Sequence, residues 1–376
     1  MKISLITLQY INNYGSVLQT YASQEYFKKK GCSVEIVNYT RENCRFDNLK
    51  RNMKKYYSQK GGIFALPFAS YLLTMRWERH HRRRNKVFDE FRNDRIELSN
   101  EYLSIDELMN NPPIADLYCV GSDQVWNYLY NDGVLPEYFL AYAPKGHKKF
   151  ALASSLGVEK IEDKECGNSI KEYLSDFSLI TVREKTAEQA LIALSCPEVY
   201  QILDPTLLLD KNDWTLRFNL HNSSDTPYVL VYQLNPCKEM DEFAQAVASK
   251  KNCRLIVISN NIRLSISKAE IIDTPTVEQF LGLILYSECI ITDSFHGTAF
   301  SLNFNKDFFS WMPQKYSTRL LSILDVTGLT KRVFTQNDAR WESVEPIDYH
   351  RVNAVLQNWR VNANRLIEEV LSNNGK

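Results

Sequence analysis

The chain has 376 residues, enough for two domains of ordinary size, and its 44% hydrophobic and 24% charged residues are typical of a folded globular protein. The 45 basic and 45 acidic side chains cancel, which excludes a protein that binds polyanions through its overall charge. The longest apolar stretch, residues 63–75, is too short to cross a bilayer, so we expect a soluble protein.

The first forty residues predict a β-α-β unit. The apolar run Ile3–Leu8 predicts a strand, apolar residues at helical spacing predict a helix over Ser16–Lys30, and Val34–Asn38 predicts a second strand. Such a unit implies parallel strands joined by a right-handed crossover. The first apolar run is too short for a signal peptide, and the eight scattered cysteines without C-x-x-C spacing favour a reduced, cytoplasmic compartment.

Residues 41–100 interrupt this pattern and predict a basic helical insertion. Residues 50–95 contain 13 Lys and Arg against four Asp and Glu, together with aromatic side chains. Two interpretations stay open: a peripheral contact with anionic lipid at the inner membrane face, or a solvated lid that packs on the first domain. Nucleic-acid binding is not expected, because these basic residues belong to no recognised nucleic-acid-binding module.

The α/β pattern then resumes in two series, separated by a polar segment that predicts a linker over Lys211–Thr226. The first series predicts strands at Leu117–Val120, Phe150–Ser154, Leu179–Val182 and Val199–Leu203, with a helix over Glu184–Ser195. The second predicts strands at Tyr228–Gln233, Arg254–Ser259 and Cys289–Thr292, and helices over Glu239–Lys251, Val277–Tyr286 and Thr298–Asn303.

The sequence therefore predicts an α/β fold of two Rossmann-like parallel-sheet domains with a cleft between them, in a glycosyltransferase-B-like architecture. We expect an N-terminal domain over residues 1–215, including the insertion, and a C-terminal domain over residues 225–345. The helix predicted within residues 349–376 is long enough to fold back on the first domain.

Polar residues cluster in four loops that follow predicted strands, where open parallel sheets bind their ligands. The first loop contains Asn13, Tyr14 and Gly15, and the second contains Ser122, Asp123 and Gln124, residue types that suit sugar hydroxyls. Both loops are also compatible with capped helix starts that have no binding role.

In the third loop, Arg183 ends an apolar strand, where its charge must be paired or face a ligand. Adjacent residues of a strand point to opposite faces, which favours anion recognition over a pair with Glu184.

The fourth loop gives the sharpest signal. An apolar strand ends at Asp293, and His296 and Gly297 open the next helix. This pattern places an imidazole in the cleft beside a helix N-terminus, with Asp293 able to orient the ring. Further along, Arg319 near a helix start indicates a shared anion site.

Taken together and in this order, the motifs resemble the polysaccharide pyruvyl transferase family over residues 3 to about 330. The motifs are Asn13-Tyr14-Gly15-Ser16, Val120-Gly121-Ser122-Asp123-Gln124, Val182-Arg183-Glu184, Asp204-Pro205-Thr206 and Thr292-Asp293-Ser294-Phe295-His296-Gly297. Some members of that family have Arg near the histidine, where this chain has Phe295.

The resemblance implies transfer of pyruvate from phosphoenolpyruvate to a sugar diol, as a ketal, in surface polysaccharide biosynthesis. The acceptor would be a glycan, which a lipid carrier can hold at the membrane. Phosphoenolpyruvate is a co-substrate, and no further cofactor or metal is expected. Two alternatives stay open: a nucleotide-sugar glycosyltransferase of the same architecture and a non-catalytic carbohydrate-binding protein.

The residues then receive roles. We expect His296 to be the general acid/base and Asp293 to orient it. We expect Arg183, Ser294, Gly297 and Arg319 to bind the donor. The acceptor is expected to contact Asn13, Tyr14, Ser122, Asp123 and Gln124.

Overall fold

The computed structural model describes residues 1–59, 67–222, 224–259, 269–312, 318–335 and 339–372. In this part of the chain, a seven-stranded parallel sheet is followed by a six-stranded parallel sheet, which confirms the predicted fold class. Residues 63–66 of the apolar stretch, which the sequence analysis had singled out, lie outside the described residues.

The first sheet has the strand order β3-β2-β1-β4-β5-β6-β7. Its strands are β1 (Lys2–Ile6), β2 (Ser33–Tyr39), β3 (Leu98–Tyr102), β4 (Leu117–Val120), β5 (Lys148–Ser154), β6 (Phe177–Val182) and β7 (Val199–Gln201). The second sheet has the order β10-β9-β8-β11-β12-β13. Its strands are β8 (Tyr228–Gln233), β9 (Arg254–Ser259), β10 (Ala269–Ile272), β11 (Cys289–Thr292), β12 (Asp307–Trp311) and β13 (Val333–Phe334).

Helices connect and cover the strands, so the central strands are buried on both faces and are almost wholly apolar. The helices of the first sheet are α1 (Tyr14–Lys29), α2 (Phe46–Gln59), α3 (Pro67–Arg95), α4 (Ile105–Asn110), α5 (Tyr128–Asn131), α6 (Lys164–Leu174) and α7 (Lys185–Ala193). Those that follow are α8 (Pro205–Leu208), α9 (Lys211–Arg217), α10 (Lys238–Lys250), α11 (Val277–Leu285), α12 (Phe295–Asn303), α13 (Thr318–Val326) and α14 (Tyr349–Ser372).

Two segments differ from the sequence expectations. The expected insertion is helical over α2 and α3, but it ends in strand β3, which pairs in parallel with β2 and extends the sheet. The expected linker begins with helix α9, which Asp210 starts with a capping box to Asp213. The described residues of α3 show no helix both long and apolar enough to cross a membrane, and the same holds for the other described helices.

In both sheets the strand order reverses in the middle, between β1 and β4 and between β8 and β11. At such a switch point the loops leave in opposite directions and open a crevice beyond the carboxyl ends of the strands. The four polar loops of the sequence analysis leave β1, β4, β6 and β11. The fold therefore brings most of them to the space between the two sheets.

Helix α1 carries a large part of the contact between the two domains. The ring of Tyr14 stacks on Phe280 of α11 with centroids 4.2 Å apart, and its hydroxyl donates to the carbonyl of Pro275 at 2.6 Å. Helix α14 lies against α1, where Tyr26 donates to Asn364 at 2.8 Å and Lys30 pairs with Glu368 at 2.8 Å.

We expect Tyr14→Phe to lower the free energy of unfolding by about 1–3 kcal/mol, because the buried Pro275 carbonyl loses its donor. The measurement is urea denaturation of both proteins. Tyr286→Phe is the matched control, since the Tyr286 hydroxyl also donates to a carbonyl, that of Leu220, but at the exposed surface. A Tyr14→Phe protein no less stable than Tyr286→Phe would contradict the assigned role.

Candidate functional site

A cavity of about 240 Å³ lies between the two sheets at their switch points. The first domain lines it with Leu8, Ile11, Asn13, Ser16, Asp123, Gln124 and Tyr130. The second domain contributes Leu234, Asn235, Asp293, Ser294, Phe295, His296, Arg319 and Leu320. Loops far apart in the sequence therefore share one polar cavity.

Arg183 is the centre of a buried ionic cluster beside this cavity. Its Nη1 lies 2.9 Å from Asp204 Oδ2, its Nη2 lies 3.5 Å from Asp123 Oδ1, and its Nε lies 3.9 Å from Glu184 Oε2. The Arg183 side chain has no exposed surface. Burial alone would lower its pKa, but the surrounding carboxylates outweigh burial and raise it.

This arrangement corrects the expectation that Arg183 binds the donor. Its charge is spent on three carboxylates, and it does not line the cavity. The aromatic ring of Phe295 lies over the guanidinium, 4.7 Å from Cζ, and separates it further from the cavity. The pair with Glu184 forms although the two residues are adjacent, because Glu184 lies just beyond the end of strand β6.

Asp204 links the cluster to His296. Its Oδ2 accepts from Ser122 and Arg183, and its Oδ1 accepts from the backbone amide and hydroxyl of Thr206. The same Oδ1 lies 3.9 Å from His296 Nε2. Burial would raise the Asp204 pKa, but His296, Arg183 and Thr206 outweigh burial and lower it to about 2.

His296 is buried between the two domains. A Cβ atom added to Gly15 would lie 2.6 Å from Cγ of the imidazole, so only glycine lets α1 pass the ring. Burial lowers the His296 pKa to about 4, against the opposing effect of Asp204. The ring is therefore neutral at neutral pH, and its buried Nε2 has no hydrogen-bond partner among the described residues.

Asp293 does not orient this ring as the sequence analysis expected. Its carboxylate accepts from the backbone amides of Leu234 and Asn235 at 2.7 and 2.8 Å, and from the Asn235 side chain. Asp293 thus fixes the loop after β8, and Asp204 is the carboxylate that faces His296 Nε2. Burial raises the Asp293 pKa, although these hydrogen bonds oppose the effect.

Ser294 and Gly297 shape the start of helix α12. The Ser294 hydroxyl caps the helix by accepting from the Gly297 amide at 3.3 Å. A Cβ atom on Gly297 would lie 3.0 Å from Cβ of Thr292, so glycine is required for the tight turn after β11. Ser294 lines the cavity, whereas Gly297 does not.

Arg319 is the cation that faces the cavity. It lies 3.9 Å from Asp123 Oδ1, and its buried Nε has no hydrogen-bond partner among the described residues. Burial, followed by the nearby charge of Arg183, lowers its pKa to about 10. Arg319 therefore stays charged at neutral pH and is poorly neutralised by the protein.

Asp123 sits at the junction of the two arginines. It has a left-handed backbone, with φ of 78°, which is uncommon for a residue other than glycine and marks a strained position. Its Oδ2 accepts from Ser16 at 2.7 Å. Burial would raise its pKa, but Arg183, His296 and Arg319 outweigh burial and lower it.

Among the other residues expected to bind the acceptor, Asn13 and Gln124 line the cavity. Ser122 and Tyr14 do not, which corrects the sequence expectation. Ser122 is fully buried and donates to Asp204, and Tyr14 is buried in the domain contact.

The sequence analysis missed Asp204, Glu184 and Ser16 as members of the site. Asp204 follows β7 directly and precedes a proline at the start of a helix, the same strand-to-helix position as the other polar loops. That position was the available signal. In the described part of the chain, no group of His, Cys, Asp and Glu side chains could hold a metal ion.

Fold and site together define a two-domain α/β protein of the glycosyltransferase-B type, with a polar cavity at paired switch points. The model of the family described as polysaccharide pyruvyl transferase matches residues 13–311. The chain therefore belongs to the polysaccharide pyruvyl transferase family. A search of curated proteins finds no significant match.

Solved structures share the fold at low sequence identity. A Listeria monocytogenes protein assigned as a UDP-N-acetylglucosamine 2-epimerase is 11% identical, with a TM-score of 0.52 over 100% of this chain and 97% of its own. The UDP-N-acetylglucosamine 2-epimerase of Rickettsia bellii is 11% identical, with a TM-score of 0.49 over 100% and 97%. Arabidopsis thaliana UGT89C1 complexed with UDP-L-rhamnose is 11% identical, with a TM-score of 0.48 over 99% and 94%.

We expect Gly15→Ala to destabilise the protein by about 1–3 kcal/mol, because the new methyl group overlaps the imidazole of His296. Alanine in a helix would otherwise add about 0.5–1 kcal/mol of stability. Gly167→Ala in α6 is the control, since its added Cβ meets only side-chain atoms at 3.4 Å or more. If urea denaturation ranks Gly15→Ala above Gly167→Ala in stability, the close approach of the two domains at His296 is wrong.

Proposed function

We propose that this protein transfers pyruvate from phosphoenolpyruvate to a sugar diol, forming a ketal in surface polysaccharide biosynthesis. Family membership supports the transferase class. The observation that carries the proposal is the pairing of a neutral imidazole, His296, with a poorly neutralised cation, Arg319, on one interdomain cavity. An anionic donor that needs proton transfer suits such a pair.

The donor would lie against the second domain. Phosphoenolpyruvate carries a carboxylate and a phosphate, and the guanidinium of Arg319 can bind either one with its unpaired N–H groups. Ser294 and Asn235 line the same side of the cavity and add polar contacts. Arg183 contributes indirectly in this proposal, because it holds Asp123 and Asp204 in place.

The acceptor would lie against the first domain, where Asn13, Asp123 and Gln124 line the cavity. Carboxylate and amide groups bind sugar hydroxyls from both sides, as acceptors and donors of hydrogen bonds. This position places a hydroxyl between the first domain and the imidazole of His296.

The proposed chemistry starts from the neutral imidazole. His296 takes the proton of the first hydroxyl while that oxygen bonds to the central carbon of the donor, and the imidazolium gives the proton to the methylene carbon, which becomes a methyl group. The second hydroxyl then replaces phosphate on the same carbon, and its proton leaves with the phosphate. A histidine whose pKa lies well below neutrality is in the required starting form.

The direct test is incubation with phosphoenolpyruvate and candidate diol sugars, with phosphate release and product mass as readouts. We expect His296→Ala to lower turnover by at least about 100-fold, the usual scale for loss of an acid/base group. We expect Arg319→Ala to raise the KM for phosphoenolpyruvate more than the KM for the acceptor. Tyr286→Phe, remote from the cavity, should leave both constants unchanged.

Phosphate release that persists in folded His296→Ala would remove this residue from the mechanism. Release that never depends on an acceptor, together with binding of a nucleotide sugar, would favour a nucleotide-sugar glycosyltransferase instead. Sugar binding without any turnover would indicate a carbohydrate-binding protein.

We also propose that helix α3 contacts a membrane surface that holds a lipid-linked glycan. Tyr71, Leu72 and Met75 are exposed near the start of α3, and exposed Arg76 and Arg79 continue that surface. Apolar side chains beside arginines are typical of a helix that binds anionic lipid, where each Lys or Arg contributes about 1 kcal/mol.

We expect the protein to bind vesicles containing phosphatidylserine at low salt, and binding to weaken as salt rises. The double variant Arg76→Glu, Arg79→Glu should lose this binding in a vesicle flotation assay. The control is Arg365→Glu, Glu369→Arg, which reverses an exposed ion pair on α14. If the unchanged protein fails to float with the vesicles, α3 does not dock on lipid.

A further inference from the structure

A second, larger cavity of about 710 Å³ lies beside the first and shares Ile11 and Tyr130 with it. It is enclosed by helix α3 on one side and by the residues that follow β1 and β2 on the other. Its wall is polar and includes Arg45, Arg84, Arg92 and the amide side chains of Asn12, Asn38, Asn85 and Asn93. None of the residues assigned above to donor or acceptor lines this cavity.

Two of its arginines, on the same helix, are treated very differently by the protein. Arg92 donates to Asp89 at 2.6 Å, to Asn12 Oδ1 at 2.6 Å and to the carbonyl of Gln9 at 3.1 Å. Its charge is therefore matched by a carboxylate.

Arg84, two turns earlier on α3, has no such match. Its Nη2 donates to the carbonyl of Asn12, but its buried Nε has no hydrogen-bond partner, and it forms no ion pair with a carboxylate of the described residues. A guanidinium held at the edge of a cavity is stabilised when an anion completes its hydrogen bonds, and it is costly to leave unpaired. Burial accordingly lowers the Arg84 pKa.

We propose that this cavity, which we call the Arg84 cavity, binds an oxyanion carried by the acceptor sugar, either a phosphate ester or a carboxylate. This inference rests on the proposed function, because the shared wall at Ile11 and Tyr130 places such a sugar next to His296. The planar guanidinium of Arg84 matches both oxyanions. The neighbouring amides of Asn12 and Asn85 provide contacts for hydroxyl groups.

Aromatic side chains support a sugar in the same cavity. Phe46 and Tyr130 line it on opposite sides of the sequence, one from α2 and one from α5. The apolar face of a sugar ring packs on such side chains. The cavity thus combines an unpaired cation, amides and aromatic rings, whereas the smaller cavity offers Arg319 and the imidazole for the donor.

The test is calorimetric titration of the whole protein with glucose, glucose 1-phosphate and glucuronate, without phosphoenolpyruvate. We expect at least one of the two anionic sugars to bind about tenfold or more tightly than glucose, a typical gain for a charge-assisted contact. Comparison of the two anionic sugars identifies which oxyanion the cavity prefers. Because no donor is present, the result does not depend on whether pyruvate transfer occurs.

Arg84→Met should remove this advantage, and Arg84→Lys should keep part of it through charge alone. Arg83→Met is the matched control, because Arg83 is exposed, does not line the cavity and lies only 3.8 Å from Asp273. Circular dichroism of each variant checks folding, and Arg84→Lys keeps the test valid if Arg84→Met does not fold.

Three outcomes overturn the inference. Glucose can bind as tightly as both anionic sugars, or Arg84→Met and Arg84→Lys can retain the full preference. Inorganic phosphate or phosphoenolpyruvate can bind in an Arg84-dependent way as tightly as the anionic sugars, which would make the cavity a simple anion or donor site. Failure of pyruvate transfer with intact Arg84-dependent sugar binding would reject the proposed function alone.

Discussion

The burial of Arg183 among three carboxyl groups is the constraint on which the site depends. A guanidinium without exposed surface must be neutralised where it lies, so Asp123, Glu184 and Asp204 are drawn to one point. These residues follow β4, β6 and β7, and their shared partner sets the relative positions of the loops. The Ser122 and Thr206 side chains complete the remaining bonds of Asp204.

The same cluster determines which groups stay available to a ligand. With Arg183 saturated and covered by the ring of Phe295, Arg319 remains as the less neutralised cation of the cavity. His296 stays neutral because the energetic cost of burying its charge exceeds the attraction of Asp204. The protein thereby separates a structural ionic cluster from a reactive pair, although the two are in direct contact.

The sequence was sufficient for the architecture and insufficient for the partners of individual side chains. Strands such as β4, β8 and β11 were predicted with their observed bounds, because an apolar run between two covering helix layers has few alternatives. Strand β3 was missed, since Leu98–Tyr102 lies at the sheet edge and is mostly polar. The roles expected of Tyr14, Arg183 and Asp293 differed from the structure for another reason. Their partners lie far away in the sequence or, for Glu184 beside Arg183, depend on where the strand ends, and no local pattern encodes that geometry.

The pairing of α1 with α14 has a consequence for the order in which the chain folds. Tyr26 and Asn364 are 338 positions apart, so the surface of α1 that α14 covers is made long before its cover. During synthesis, at roughly 5–20 residues per second, that surface stays uncovered for tens of seconds. The first domain must therefore remain soluble on the ribosome with one side incomplete, and the charged ends of this contact, Lys30 and Glu368, suit such a delayed closure better than a wholly apolar seam.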